Sequence, residues 1–158
     1  MLKIATKADV DALVELERRF FGDHAEIREA YDFIVEAGSA LLEYKGNLSG
    51  ALVTISVNGI MANKKRILDL PQESPFRERV ARGYLDPYRN REFIFAFMSD
   101  NSYSLTRKFK ELERAVGFCY GDAAESLEFY RRAGCRAIGT VPNIHNEGID
   151  VILVYDKK

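Results

Sequence analysis

Ala123-Ala-Glu-Ser-Leu-Glu-Phe-Tyr130-Arg-Arg-Ala-Gly134-Cys-Arg-Ala-Ile138, followed after a polar loop by Ile149-Asp-Val-Ile-Leu-Val-Tyr155, decides how the rest of this chain is read. A short helix carrying Phe129 and Tyr130 ends at Gly134, the residue type that most easily takes a helix-terminating conformation. Two strands follow. Leu127, Tyr130 and Gly134 fall near one another on the helix surface, while Arg131 and Arg132 face elsewhere. Taken alone, a Phe-Tyr pair on an amphipathic helix is core packing.

Working outward, Glu92-Phe-Ile-Phe-Ala-Phe-Met98 is the strongest strand in the chain, dense in aromatics and without a helical period. Its nearly continuous apolar character suggests burial on both faces of a sheet. After the polar stretch Ser99-Asp-Asn-Ser102-Tyr-Ser104, the residues Leu105, Phe109, Leu112 and Val116 make an apolar helical face. Gly117 is expected to end that helix, leaving Phe118-Cys-Tyr120 for a short strand.

The first half opens with a short apolar run, Leu2–Ala5, and Thr6-Lys-Ala-Asp9 in the pattern of a capping box. Val10, Leu13, Val14, Glu17 and Phe20/Phe21 then give one helical face, apolar but interrupted once. Ile27, Ala30, Tyr31, Ile34 and Val35 define a second helix, with Gly38 placed for a left-handed C-terminus. Ala40–Tyr44 and Leu48–Val57 flank Lys45-Gly46-Asn47 and read as a hairpin. Asn58-Gly59 is a further turn signal. Residues 59–91 read as an inserted helical segment, with Ser74-Pro75 as N-cap and first helical residue and Phe76, Val80 and Tyr84 on one face. Lys64-Lys65-Arg66, Arg77, Arg79, Arg82, Arg89 and Arg91 make it basic, which suits a substrate lid, a dock for phosphates, or a solvated helix face.

A chain of 158 residues is the size of one ordinary domain, and no linker or internal repeat divides it. Hydrophobic residues at 47% and charged residues at 30% describe a soluble globular protein. The net charge of -1 gives no push toward nucleic acid or an anionic membrane. No apolar run is long enough to span a bilayer, and Met1–Thr6 lacks the layout of a secretory signal. Two cysteines, Cys119 and Cys135, are too few for a disulfide scaffold, so a cytoplasmic single domain is expected.

The quoted C-terminal block resembles that of the GNAT superfamily of N-acyltransferases, which often reads Asn-x-x-Ala-x-x-x-Tyr-x-x-x-Gly-Phe. Ala123, Ser126 and Cys135 stand where the family often has Asn, Ala and Phe. Element order extends the resemblance over nearly the whole chain. It implies a GNAT-like α/β fold, a mixed central sheet with helices on both faces, spanning 1–158 with the segment at about 59–91 inserted. It also implies acetyl transfer from acetyl-CoA to a primary amine, with Tyr130 protonating the departing thiolate. Acetyl-CoA would be held at Phe97, Met98, Ser99, Ser102, Tyr103 and Ser104. There the family usually has a glycine-rich loop whose backbone N–H groups meet the pyrophosphate at a helix N-terminus. Here the glycines are absent and Asp100 adds a negative charge; Ser102 or Ser104 takes the last glycine position, and either also reads as a plain N-cap. Polarisation of the thioester carbonyl would come from the main chain of Phe95–Ser99. Glu92, through water, is the candidate base, with Glu43 second.

Other chemistry has little support. His24 and His145 lack any metal-ligand spacing, so no metal is expected. Neither a Gly-x-Ser-x-Gly elbow nor a Walker loop occurs. Cys119 reads as a buried small hydrophobe more readily than as a nucleophile. Asn143–Gly148 reads as a polar loop whose His and Glu either contact an amine or are solvated. The partners implied are a small-molecule or peptide amine, with a homodimer as a permitted assembly. A catalytically inactive GNAT-like binding or assembly module is the rival reading. A nucleic-acid binder using 64–91 is the third.

Overall fold

The computed structural model describes residues 1–22, 25–99, 103–144 and 148–158. Strand β1 (Leu2–Ile4) is followed by helices α1 (Val10–Phe21) and α2 (Arg28–Ala37), then by the hairpin β2 (Ser39–Lys45) and β3 (Asn47–Ser56). Three short helices, α3 (Val57–Ala62), α4 (Lys64–Leu68) and α5 (Pro75–Ala81), lead to β4 (Glu92–Met98). The chain ends α6 (Tyr103–Lys110), β5 (Arg114–Tyr120), α7 (Ala124–Arg132), β6 (Arg136–Pro142) and β7 (Ile149–Asp156). One seven-stranded sheet results, ordered β1-β2-β3-β4-β5-β7-β6. Only β4 and β5 run parallel; every other neighbouring pair is antiparallel.

Helices cover both faces, as the expected mixed α/β architecture requires. On one face Leu13 and Leu16 of α1, Ile34 of α2 and Phe76 of α5 bury against Val53, Phe93 and Val116 of the sheet. On the other, Leu105 and Phe109 of α6 and Ala133 after α7 bury against Leu52, Ile94, Phe97 and Leu153. Burying two apolar faces of one sheet is what makes the central strands continuous in hydrophobicity.

Local signals explain most boundaries. The Asp9 carboxylate accepts from the Thr6 N–H at 2.8 Å, closing the capping box before α1. The Ser74 hydroxyl accepts from the Arg77 N–H at 3.1 Å, with Pro75 in the first turn of α5. Gly46 takes φ 82° in the β2–β3 turn, and Gly134 takes φ 101° after α7.

Three expectations are corrected. Gly38 has φ -115°, not a left-handed value; a Cβ there would lie 2.4 Å from the Thr54 carbonyl oxygen, so close backbone approach is what demands glycine. Asn58-Gly59 is not a turn but the interior of α3, because Ser56 caps the helix by accepting from the Gly59 N–H at 2.9 Å. Gly117 does not end a helix. α6 stops at Lys110, and Val116 and Gly117 belong to β5, which pairs with β7 along its whole length from Arg114 to Tyr120. Val116 and Phe118 face one core and Ala115 and Cys119 the other, a period of two that overrides the helical spacing.

The basic segment packs on the α1–α2 face through Ile60, Ile67, Phe76, Val80 and Leu85. Arg66, Arg77, Arg79 and Arg91 pair with Glu36, Glu78, Asp150 and Asp156, which removes four cations from any free basic stripe. Among the described residues no helix is long and apolar enough to cross a membrane.

Candidate active site

β4 and β5 pair only at their first residues, Glu92 with Ala115 and Phe93 with Val116. From Ile94 onward the two strands part, and the β4 edge facing β5 has no strand partner. The other edge of β4 is irregular at the same place. Thr54 opposes Ile94 and Val53 opposes Ala96, so Phe95 is an extra, bulged residue. A bulge re-aims the main chain and is frequent beside functional sites. The gap opens into a cavity of about 900 Å³ that runs through the sheet, with Phe95, Ala96 and Phe97 on one side and Phe118, Cys119 and Tyr120 on the other.

The buried part of the α7 wall of this cavity is neutral; the charged residues on that wall, Glu125, Glu128 and Arg132, are open to solvent. Tyr130 lines it, 9% exposed, with its ring 6.3 Å from that of Phe97 and 5.6 Å from that of Phe129. Burial pushes the Tyr130 hydroxyl well above the usual tyrosine range, with smaller contributions from the Cys119 and Cys135 sulfurs. The same burial raises Cys119 to about 11 and Cys135 to about 12. Both cysteines are buried small hydrophobes, not activated nucleophiles.

The α1 wall is charged. Glu17 is 4% exposed and lines the cavity with Glu26 and Arg79. Its Oε1 accepts from the Tyr31 hydroxyl at 2.8 Å and its Oε2 from the Glu26 N–H. Glu26 in turn accepts from the Phe76 N–H at 2.9 Å and the Ile27 N–H at 3.2 Å. Burial raises both carboxyl groups, Glu17 to about 7, with the Tyr31 hydrogen bond opposing and the Glu26 charge reinforcing that shift. Arg79 is drawn to Asp150, Nη2 to Oδ2 at 3.2 Å, and lies over the Phe118 ring at 5.3 Å. Asp150 is fully buried and also accepts from Asn143 Nδ2 at 2.6 Å.

Of the residues expected at the site, Tyr130, Phe97, Ser99 and Tyr103 line the cavity. Met98 does not: as the residue after Phe97 it points to the other face of the sheet, where it is fully buried in the α1–α5 core. Ser104 lies in the first turn of α6, exposed and outside the lining. Ser102, Asp100, His24 and His145 lie outside the described residues. Glu92 sits where β4 and β5 are still paired and does not line the cavity. Glu43 is buried on β2, opposite Gly50 and Leu2, and does not line it either. Neither carboxylate is placed to act as the base. Glu17, Glu26 and Arg79 were not singled out from sequence, although Glu17 is the one interruption in the apolar face of α1. Among the described residues no group of three or more His, Cys, Asp or Glu could hold a metal ion.

No family profile and no curated protein matches the chain in sequence. Solved structures do match in fold. Ard1 from Thermoplasma volcanium aligns with a TM-score of 0.67 at 9% identity, covering 100% of this chain and 97% of its own. A GNAT-family acetyltransferase from Bacillus cereus gives 0.62 at 10%, covering 100% and 97%. An N-acetyltransferase from Staphylococcus aureus gives 0.60 at 14%, covering 98% and 99%. The chain has the fold of the GNAT superfamily.

Proposed function

We propose that this protein transfers an acetyl group from acetyl-CoA to a primary amine. The observation that carries the reading is the parting of β4 from β5 beside the Phe95 bulge, with Tyr130 in the wall of the resulting cavity. The residues present fit the donor. A cavity of about 900 Å³ is large enough for its reactive end. The unpaired β4 edge offers main-chain donors and acceptors to an arm that itself contains amides. When bound, acetyl-CoA supplies an activated acyl group as a thioester.

The rest of the chemistry belongs to this chain. Main-chain N–H groups around the bulge are pre-oriented toward a carbonyl oxygen as it gains charge, at no cost in reorganisation. Tyr130 holds its proton at neutral pH and can give it to a departing thiolate. The raised Cys119 and Cys135 report what this wall does to sulfur: it disfavours thiolate, so a leaving thiolate there takes up a proton readily.

Calorimetric titration with acetyl-CoA tests the proposal, with micromolar binding as the expected result. No binding at millimolar concentration replaces it with a non-catalytic binding or assembly module of the same fold. The feature that favours this second reading is the absence of glycine between Ser99 and Ser104.

A further inference from the structure

We infer that Glu17 is the catalytic base of this site, and that its acceptor is a primary amine carried on an apolar body, entering as the ammonium ion. The inference rests on the acyltransferase reading and deepens it.

Position comes first. Glu17 lines the same cavity as Tyr130 but from the opposite face of the sheet, so proton removal and proton delivery fall on opposite sides of the β4–β5 gap. Its carboxylate is fixed rather than free, since Tyr31 holds one oxygen and the Glu26 N–H the other. The Tyr31 ring packs edge-on against Phe95 at 5.0 Å, so Glu17 stands one aromatic ring away from the bulge where the acyl group is to lie. A carboxylate has about four lone-pair positions, so two such contacts leave capacity for an ammonium hydrogen.

Charge comes second. The groups acting on Glu17 are Tyr31 from α2, Glu26 from the segment before it, Arg79 from α5 and Tyr120 from β5. Arg79 is the single cation among them, and its hydrogen bond goes to Asp150. Two buried carboxyl groups therefore share one cation that is hydrogen-bonded elsewhere, a costly arrangement that a bound ammonium relieves. The remaining surface on this side is aromatic: Phe20, Phe21, Phe93, Phe95 and Phe118. Among the described residues on this side, an anionic substituent on the acceptor finds no cation besides Arg79, which is paired with Asp150. An apolar body finds five rings.

The proton count closes. An ammonium loses two protons on becoming an amide nitrogen. Glu17 takes the first, which exposes the lone pair; the nitrogen–carbon bond then forms as the carbon–sulfur bond breaks. The second replaces the proton that Tyr130 gives to the sulfur. Glu17 returns its proton to solvent. A base poised near neutrality suits this role, and Glu17 is raised to about 7.

The test uses acetyl-CoA with 2-phenylethylamine, following thiol release from about pH 5 to about pH 9. The intact protein should turn over, with kcat/KM rising through about 7. Glu17→Gln should lose that rise and fall on the order of 10²-fold in kcat, while its affinity for acetyl-CoA stays unchanged. Tyr31→Phe provides a second reading if the glutamine variant fails to fold: loss of the hydrogen bond should move the rise to higher pH. An unaltered rise in either folded variant overturns Glu17 as the base. Turnover of phenylalanine in preference to 2-phenylethylamine, or no turnover by protein that binds acetyl-CoA, overturns the acceptor assignment. Failure to bind acetyl-CoA overturns the acyltransferase reading, and this inference with it.

Discussion

The two walls of the cavity hang from the same pair of strands, yet one buries its charges and the other keeps them in solvent. Glu17, Glu26, Arg79 and Asp150 gather on the α1 side, whereas Tyr130, Phe97, Phe129, Cys119 and Cys135 line or back the α7 side. Alternation along β5 and the Phe95 bulge in β4 keep the two sets apart: Phe95 and Phe118 point to the first, Phe97 and Cys119 to the second. The two walls divide the work. A cation is favoured on one side, and a thiolate is disfavoured on the other.

The heaviest blow to this asymmetry is Arg79→Met. Methionine replaces the aliphatic stem alone and leaves Asp150 fully buried without its ion pair. Removing one partner of a buried pair costs about 3–5 kcal/mol. Urea unfolding at neutral pH should therefore show a loss of that size. A loss under about 1 kcal/mol would mean that the pair is solvated and the α1 wall is not a low-dielectric site.

Tyr130→Phe attacks the other wall and should be felt in turnover rather than in folding. The ring and its contacts with Phe97 and Phe129 remain. Loss of the proton donor should slow a verified acetyl transfer on the order of 10²-fold or more, with near-native stability. A stability loss of about 1 kcal/mol with unaltered turnover would make Tyr130 a packing residue.

These two residues also mark how much could be read in advance. Tyr130 was legible because α7, Gly134 and the strands after it form a local pattern. The β2–β3 hairpin and α2 were legible for the same reason. Arg79 and Asp150 meet only when α5 folds back over the sheet, and nothing local in either stretch announces it. Glu17 left a trace as a charged residue on an apolar helical face, but its purpose depends on Tyr31 and Glu26 arriving from α2 and the segment before it. Glu92 misled because polarity beside the central strand suggests chemistry, whereas the β4–β5 gap opens only beyond it. Gly38 and Gly117 misled because a glycine looks alike in sequence whether it serves φ or close approach. A Cβ on Gly117 would sit 3.3 Å from the Ile94 side chain.

Stability should also change with pH, by a smaller amount. Burial raises Glu17 from 4.5 to about 7, so the folded protein binds a proton that the unfolded chain has already released between those values. Its contribution to stability is therefore complete below about 4.5 and declines as pH rises to about 7, at up to about 1.4 kcal/mol per pH unit. Glu17→Gln should flatten that decline in urea midpoints without abolishing it, because burial raises Glu26 as well. Asp9 and Asp156 act in a separate window: both are lowered from 3.8, so their stabilisation is lost only as pH falls below that value. An unchanged slope in the glutamine variant would place Glu17 in contact with bulk water.

The smallest effect is expected where the ion pair looks best. Arg131 Nη2 lies 2.6 Å from Glu128 Oε1, shorter than the 3.2 Å between Arg79 and Asp150, and the Arg131 hydrogen bond leads in holding Glu128 down at about 2. Geometry alone ranks the α7 pair first. Burial reverses the ranking, because Arg131 and Glu128 side chains are 70% and 42% exposed while those of Arg79 and Asp150 are 13% and 0%. Water and salt screen the first pair and leave the second almost unscreened. Arg131→Ala should accordingly leave the melting temperature unmoved at both low and high salt. A drop approaching that of Arg79→Met, erased by salt, would show that charge on the outer surface of α7 stabilises the fold, and the contrast between the two walls would no longer be one of burial.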